Sequence, residues 1–221
     1  MKTYVALSAL LSYPDPELIE ALPQVARLLD EEGFIPPAAL GKLRALVREL
    51  AGEDLYELQE RYVSLFDRSR ALSLHLFEHV HGESRDRGQA MVDLARLYES
   101  QGLQVVDHEL PDYLPAFLEY LSLLPGAQAR GLLVETADIL RALHKGLARR
   151  DSRYAAVLEA LLALAGETVS EPAVTAGEVE PDSPEALDRE WAEEPVLFGG
   201  PCSAPRPEAK PVHIYRQGLP V

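Results

Sequence analysis

Apolar residues spaced three or four positions apart recur through most of this chain. That spacing places side chains on one face of an α-helix, whereas a strand would need apolar and polar residues to alternate. No segment alternates for long enough to predict a strand. Residues 1–165 are therefore predicted to form an all-α domain. The clearest stripes are Leu40, Leu43, Val47 and Leu50; Leu114, Phe117, Leu118 and Leu121; and Leu132, Thr136, Ile139, Leu140, Leu143 and Leu147.

Prolines and glycines separate these stripes and predict where the helices end. The pattern indicates about eight helices in a single compact domain. They share no repeat length, so a solenoid array is not expected. Asp112 precedes one of the helices, and its side chain is predicted to cap that helix by accepting a hydrogen bond from an exposed N–H. The breaks fall at Pro14–Pro16, Gly33–Pro37, Gly52, Gly82, Gly102, Pro111 and Pro125–Gly126.

The composition of the chain changes after residue 165. Nine of the 17 prolines lie between residues 167 and 221, where apolar runs are short. Residues 166–221 are therefore predicted to form a Pro-rich, acidic and mostly irregular tail. One apolar island in it, Trp191–Phe198, contains the only tryptophan. Because a large aromatic ring gains most when it is buried, we expect this island to dock on the helical domain or on a partner.

The charge of the chain restricts its partners. Its 36 acidic and 21 basic residues give a formal net charge of -15. Such a field repels nucleic-acid phosphates and anionic lipid headgroups, and it attracts a basic polypeptide segment. The longest apolar stretch, Ala155–Gly166, contains Glu159 and is shorter than the roughly 20 residues that span a bilayer. We therefore expect neither nucleic-acid binding nor direct membrane insertion.

The sequence lacks the common catalytic motifs. Gly199 and Gly200 are not followed by the Lys-Ser/Thr of a phosphate-binding loop, and no nucleophile elbow is present. The single cysteine, Cys202, excludes an internal disulfide and a cysteine-rich metal framework, which indicates a reducing, cytoplasmic setting. A helical, acidic chain of this kind is expected to bind other proteins and not to be an enzyme.

Three histidines, His75, His79 and His81, occur within seven positions. On a helix, His75 and His79 would share a face and could bind a metal ion together. However, the zinc-protease motif has Glu directly after its first histidine, and here Leu76 stands in that place. A helix that ends near Gly82 also gains stability from imidazoles at its negative end. A structural or recognition role is therefore favoured, with a His-cluster metal-binding protein as an alternative.

Several segments of the chain resemble one known family. They are ERYVSLFD at 60–67, SLHLFEHVHGESRDRGQAM at 73–91, ELPDYLP at 109–115 with FLEYL at 117–121, and W…EPVLF at 191–198. Together, in this order and over nearly the whole chain, they resemble the NarJ-type nitrate reductase assembly chaperones. These form the delta subunit family among the TorD-like redox-enzyme maturation chaperones. The wider group often has Pro-Asp-His where this chain has Pro-Asp-Tyr, so a role for that histidine does not transfer to Tyr113.

The resemblance implies a cytoplasmic, all-helical, TorD-like protein without enzymatic activity. Members bind the apo catalytic (alpha) subunit of a molybdenum nitrate reductase, chiefly through its N-terminal segment. They delay its docking on the membrane until the molybdenum cofactor is inserted, bind no cofactor stably, and are not part of the final enzyme. Cofactor-delivery proteins are further candidate partners. A chaperone for another molybdoenzyme, of the dimethyl sulfoxide or trimethylamine oxide reductase type, is an alternative.

The candidate partner-binding site lies in the 73–91 block and in the helix after Asp112. An amphipathic client helix needs an apolar groove with a charged rim. Apolar and aromatic side chains would contact the client, while acidic side chains would face its basic residues. No catalytic or metal-binding residue is assigned. The residues expected to bind the partner are Leu76, Phe77, Glu78, His79, Val80, His81, Glu83, Arg85, Asp86, Arg87, Met91, Tyr113, Phe117 and Glu119.

Overall fold

The computed structural model of the protein describes residues 1–80, 85–105 and 109–167, except for the side chain of Arg85. These residues form no strand, so the predicted all-α fold is confirmed. The predicted docking of Trp191–Phe198 falls outside the described residues. The helices are α1 (Lys2–Leu11), α2 (Pro16–Glu32), α3 (Pro37–Gly52), α4 (Leu55–Tyr62), a π-helical turn (Val63–Asp67), a 3-10 turn (Arg70–Leu72), α5 (Leu76–Val80), α6 (Arg85–Glu99), α7 (Leu114–Leu123), α8 (Gly126–Glu135), α9 (Ala137–Arg149) and α10 (Ala155–Ala165).

The described chain contains ten α-helices, where the sequence pattern indicates about eight. One extra helix is α5, a segment of five residues that is too short to show a periodic stripe. Another arises because the apolar stripe that begins at Leu132 is divided between α8 and α9 at Thr136. The Thr136 hydroxyl donates to the Leu133 carbonyl at 2.9 Å. Such a side-chain bond competes with the helical backbone bonds and allows the chain to break there.

Both ends of α2 fall at breaks that the sequence predicts, and both carry capping groups. The Asp15 carboxylate accepts a hydrogen bond from the backbone N–H of Leu18 at 2.7 Å, and Pro16 begins α2. The helix ends at Gly33, whose φ of 67° is a left-handed conformation that glycine adopts without steric cost. The aspartate before α2 and the glycine after it therefore fix both ends of this helix.

The centre of the core is α10, which contacts α3, α8 and α9. Its side chains at Val157, Leu158, Leu161 and Leu162 are fully buried. This burial explains why residues 155–166 are the longest apolar stretch of the sequence. Among the described residues, no helix is both long and apolar enough to cross a membrane.

A short backbone pairing joins two segments that are distant in the sequence. His75 and Tyr113 form an isolated antiparallel bridge. The Leu114 N–H donates to the Leu74 carbonyl at 2.8 Å, and the Leu76 N–H donates to the Asp112 carbonyl at 2.9 Å. The start of α5 is thereby held against the start of α7.

The bridge also corrects the sequence prediction for Asp112. The residue that precedes α7 is Tyr113, and no side chain caps that helix. The Asp112 carboxylate turns instead to α5, where it accepts a hydrogen bond from the Phe77 N–H at 3.1 Å. The prediction named the wrong helix because the pairing with residues 74–76 cannot be seen in local sequence.

Candidate functional site

A cleft of about 370 Å³ lies beside the backbone bridge. Its walls come from the α1–α2 connection, the end of α4 with its π-helical turn, and the two bridged segments. Four aromatic side chains line it, namely Tyr13, Tyr62, Phe66 and Tyr113. Ligand sites in proteins are typically concave, and they combine apolar walls with a few polar groups. This cleft therefore has the composition of a binding site.

The aromatic wall is built around Tyr62, which is only 3% exposed. Its ring centroid lies 4.8 Å from that of Phe66 and 5.5 Å from that of Tyr13, and the Tyr13 ring stands nearly at right angles to it. Edge-to-face and tilted arrangements are the favourable ones for aromatic pairs. Tyr13 itself is 46% exposed. The wall thus combines a fixed buried ring with an exposed one.

The π-helical turn Val63–Asp67 shapes one side of the cleft. The Arg68 N–H donates to the Val63 carbonyl at 3.1 Å, five residues back, so this turn is wider than an α-helical one. It leaves Phe66 buried and Asp67 exposed, and both line the cleft. Single π-helical turns occur frequently at functional sites.

A chain of hydroxyl groups fixes the two central tyrosines. The Tyr62 hydroxyl donates to the Leu11 carbonyl at 2.8 Å, and it lies 2.8 Å from the Tyr113 hydroxyl. Since Tyr62 has a single hydroxyl proton, Tyr113 is the donor to Tyr62. Burial raises the pKa of both tyrosines, and at Tyr62 the nearby Tyr113 raises the pKa further. Both hydroxyls are therefore protonated at neutral pH, as the chain of hydrogen bonds requires.

Two carboxylates, Asp67 and Glu109, also line the cleft. Both are exposed, and neither forms an ion pair with any of the described residues. A third carboxylate, Glu119, lies close enough to interact with Glu109: burial raises the pKa of Glu119, and the negative charge of Glu109 raises it further. The cleft is therefore both aromatic and acidic.

The Asp112 carboxylate organises the segment next to the cleft. Its side chain has no exposed surface. Besides the Phe77 N–H, it lies 3.3 Å from Nδ1 of His75 and 3.9 Å from Nη2 of Arg87. The same Arg87 nitrogen lies 3.4 Å from a Glu78 carboxylate oxygen. One buried acid thus connects α5, α6 and the histidine that lines the cleft.

The two described histidines of the cluster have separate acceptors. His75 faces the Asp112 carboxylate, which requires a proton on Nδ1, while Nε2 of His79 lies 2.8 Å from the Ser73 carbonyl and must donate to it. Across the part of the chain that the structure describes, no group of three or more His, Cys, Asp or Glu side chains could hold a metal ion. His81 falls outside that part. His75 and His79 thus hold the α5 segment in place.

A larger cavity of about 550 Å³ lies between α3, α9 and α10. Small side chains form much of its wall, and three of its charged side chains form ion pairs within the fold, namely Lys42, Arg153 and Glu159. Lys42 lies 2.7 Å from Glu159, and Arg153 lies 2.5 Å from Glu49. Both cations of this cavity are therefore paired within the fold, whereas the two carboxylates of the aromatic cleft have no ion-pair partner among the described residues. The aromatic cleft is therefore the better candidate for a functional site.

Comparison with known proteins identifies the family. Residues 36–160 match the family described as nitrate reductase delta subunit. The chain belongs to this family. The matched region runs from α3 into α10 and includes the cleft residues from Tyr62 to Tyr113. Tyr13 lies outside it.

Individual relatives agree with this assignment. The chain is 45% identical over 197 residues to the nitrate reductase molybdenum cofactor assembly chaperone NarJ of Escherichia coli K12, which covers 88% of this chain and 84% of that protein. It is 42% identical to the probable chaperone NarW of the same organism, over 90% and 84% of the two chains. A candidate redox enzyme maturation protein from Archaeoglobus fulgidus has a similar fold, with a TM-score of 0.52, 25% identity, and coverage of 76% of this chain and 94% of the other.

The structure places the predicted site residues of this delta-family member in different environments. Leu76 and Phe117 are core residues, 3% and 5% exposed, because α5 and α7 turn these side chains inward. Neither is accessible to a partner in this conformation. His81 and Glu83 lie outside the described residues, as does the side chain of Arg85. The half-buried ones are Phe77, Glu78, His79, Arg87, Met91 and Tyr113, and the exposed ones are Val80, Asp86 and Glu119.

Several cleft residues were not among the predicted ones. Tyr62 and Phe66 are four positions apart, on one helical face, and lie in the 60–67 segment that resembles the family. Their spacing could therefore have identified them as neighbouring residues of a site. Asp67 is the last residue of one segment of the resemblance, and Glu109 is the first residue of another. Tyr13 stands between two helices with no neighbouring motif. Only the tertiary fold brings it to the cleft, and no sequence signal marked it.

Proposed function

We propose that this protein is a chaperone that binds the apo catalytic subunit of a molybdenum nitrate reductase. It holds the N-terminal segment of that subunit in the cytoplasm until the molybdenum cofactor is inserted, and it then dissociates. The proposal rests on the family membership, which 45% identity to a protein named for this assembly role supports. The same relatives favour nitrate reductase over a dimethyl sulfoxide or trimethylamine oxide reductase as the client.

The client segment binds at the aromatic cleft and along the adjoining face of α5. His75 lines the cleft and directly precedes α5, so the two surfaces are continuous. Val80 is exposed on α5, and Phe77 is half-buried there. Exposed apolar and aromatic groups beside a cleft are typical of surfaces that bind a client helix. The buried acid Asp112 keeps these two surfaces in register.

The protein assists cofactor insertion through the client and not by binding the cofactor itself. A client held at its N-terminal segment keeps its cofactor-binding region free for loading. The formal net charge of -15 favours a basic client segment and speeds its capture at low salt. Cofactor-delivery proteins would meet the client while it is bound in this way.

Calorimetric titration with a client peptide tests the proposal. The full chain is titrated with a peptide that matches the N-terminus of the host's nitrate reductase catalytic subunit, and with a scrambled peptide of the same composition. Saturable binding of the native order alone is expected. Tyr13→Ala should weaken it about tenfold, because exposed tyrosines are frequent hot spots of recognition.

Tyr56→Ala serves as the matched control for Tyr13→Ala. Tyr56 is 75% exposed on α4 and does not line the cleft, so its removal should leave the affinity unchanged. Equal binding of the native and scrambled peptides would contradict the proposed function. An equal loss in the two tyrosine variants would contradict the cleft as the binding site.

A further inference from the structure

We infer that the cleft receives one cationic side chain, an arginine or a lysine, from the client's N-terminal segment. The inference rests on the proposed function and names the chemistry that the cleft recognises. It assigns the recognition to the four rings of the cleft and to Asp67 and Glu109. These two acids differ from those that the sequence analysis assigns to client binding, which are Glu78, Glu83, Asp86 and Glu119.

The shape of the cleft fits a side chain better than a backbone. A helix with its side chains is about 10 Å across, and the cleft holds only about 370 Å³. A client helix therefore stays on the surface and inserts one long side chain. Arginine and lysine combine that length with an apolar stem, which can lie against aromatic walls while the charged end remains near polar groups.

The aromatic walls favour a cation over a neutral group. The faces of tyrosine and phenylalanine rings carry partial negative charge and attract ammonium and guanidinium groups. The hydroxyl bonds from Tyr113 to Tyr62 and from Tyr62 to the Leu11 carbonyl hold the two central rings in place before any client binds. A site that is ordered in advance loses less entropy on binding.

The charges of the cleft also favour a cation. Asp67 and Glu109 line it, and both add to the negative field that raises the pKa of Tyr113, after burial as the largest cause. The described lining contains no lysine or arginine that could neutralise them. Other acidic side chains of the fold do have such partners: Glu49, for example, forms ion pairs with Arg61 and Arg153. Two carboxylates left without a cation beside aromatic rings are complementary to a cation supplied by another chain.

Single replacements in the client peptide test the inference. Each arginine is replaced in turn by citrulline, which keeps the shape and loses the charge, and each lysine by norleucine. Calorimetry at low salt with the full chain is expected to show one position at which affinity falls about tenfold, as for a partly desolvated cation beside aromatic rings. Whether that position holds arginine or lysine identifies the group that enters.

Variants of the protein then locate the effect. In Asp67→Asn/Glu109→Gln the same peptide replacement should change affinity less than about twofold, since the charge has lost its counterpart. Glu31→Gln/Glu135→Gln removes two exposed carboxylates outside the cleft and should retain the tenfold effect. Tyr13→Leu removes an exposed ring without changing any charge, and it should also reduce the effect.

The outcomes separate this inference from the proposed function. If the native peptide binds and the scrambled one does not, but no single cation matters, the inference is wrong and the chaperone role stands. A tenfold effect that persists in Asp67→Asn/Glu109→Gln would place the cation elsewhere and would also overturn the inference. If the two peptides bind equally, the proposed function fails and the inference fails with it.

Discussion

Replacement of Asp112 by alanine is expected to lower the free energy of unfolding by about 2–4 kcal/mol, the largest effect that we predict for a single polar residue. The carboxylate has no exposed surface, and it accepts the Phe77 N–H at 3.1 Å. Its removal leaves that donor without its acceptor, and it leaves His75 and Arg87 without the negative charge between them. Chemical denaturation followed by circular dichroism measures the change.

Two further variants make the Asp112 result specific. Asp86→Ala removes an exposed carboxylate on α6 and should change stability by less than about 0.5 kcal/mol. Asp112→Asn retains an acceptor oxygen for the Phe77 N–H but loses the charge, so its cost should be intermediate. If Asp112→Ala were as stable as Asp86→Ala, the buried acid would not hold α5 in the way that the geometry indicates.

Replacement of Tyr62 by phenylalanine is expected to cost about 1–3 kcal/mol of stability. The ring contacts with Tyr13 and Phe66 remain, but the hydroxyl that bonds to the Leu11 carbonyl and to Tyr113 is lost. Both partners then lack a hydrogen bond in a mostly buried region. Thermal unfolding of the variant, compared with that of the original protein, measures the loss.

Tyr113→Phe is the matched control for Tyr62→Phe. It removes only the outer hydroxyl of the chain, and Tyr62 can still donate to Leu11. The Tyr113 side chain is half-buried. Its loss should therefore cost less than about 1 kcal/mol. A larger loss in Tyr113→Phe than in Tyr62→Phe would contradict the direction of donation that the geometry implies.

The helical architecture could be predicted from sequence because its signals are local. Three-and-four spacing of apolar residues and the prolines and glycines between them are each read within a few positions. Local signals did not predict the α8–α9 boundary, because the apolar stripe continues through Thr136. Only the hydrogen bond from the Thr136 hydroxyl to the Leu133 carbonyl shows the break. Similarly, the five-residue α5 is too short for a periodic signal.

The candidate site was less predictable because it is assembled from distant segments. The predicted block of residues 73–91 and Tyr113 does adjoin the cleft, through His75 and the backbone bridge. The acidic and aromatic character of the cleft, however, depends on Tyr13 and Glu109, which are 96 positions apart in the chain. Apolar residues of the predicted site such as Leu76 proved to be core, since a helical stripe does not reveal which of its members face outward at a helix end.

The most direct test of the whole account is the molybdenum content of the client enzyme. The chaperone gene is deleted from host cells, which then receive no replacement, the original gene, or the gene for Tyr13→Ala or Tyr56→Ala. The nitrate reductase catalytic subunit is isolated from each strain, and molybdenum is measured per subunit by elemental analysis. We predict full loading with the original protein and with Tyr56→Ala, and a clear deficit with Tyr13→Ala at equal chaperone level. Full loading in cells without the chaperone, or with Tyr13→Ala, would contradict the account.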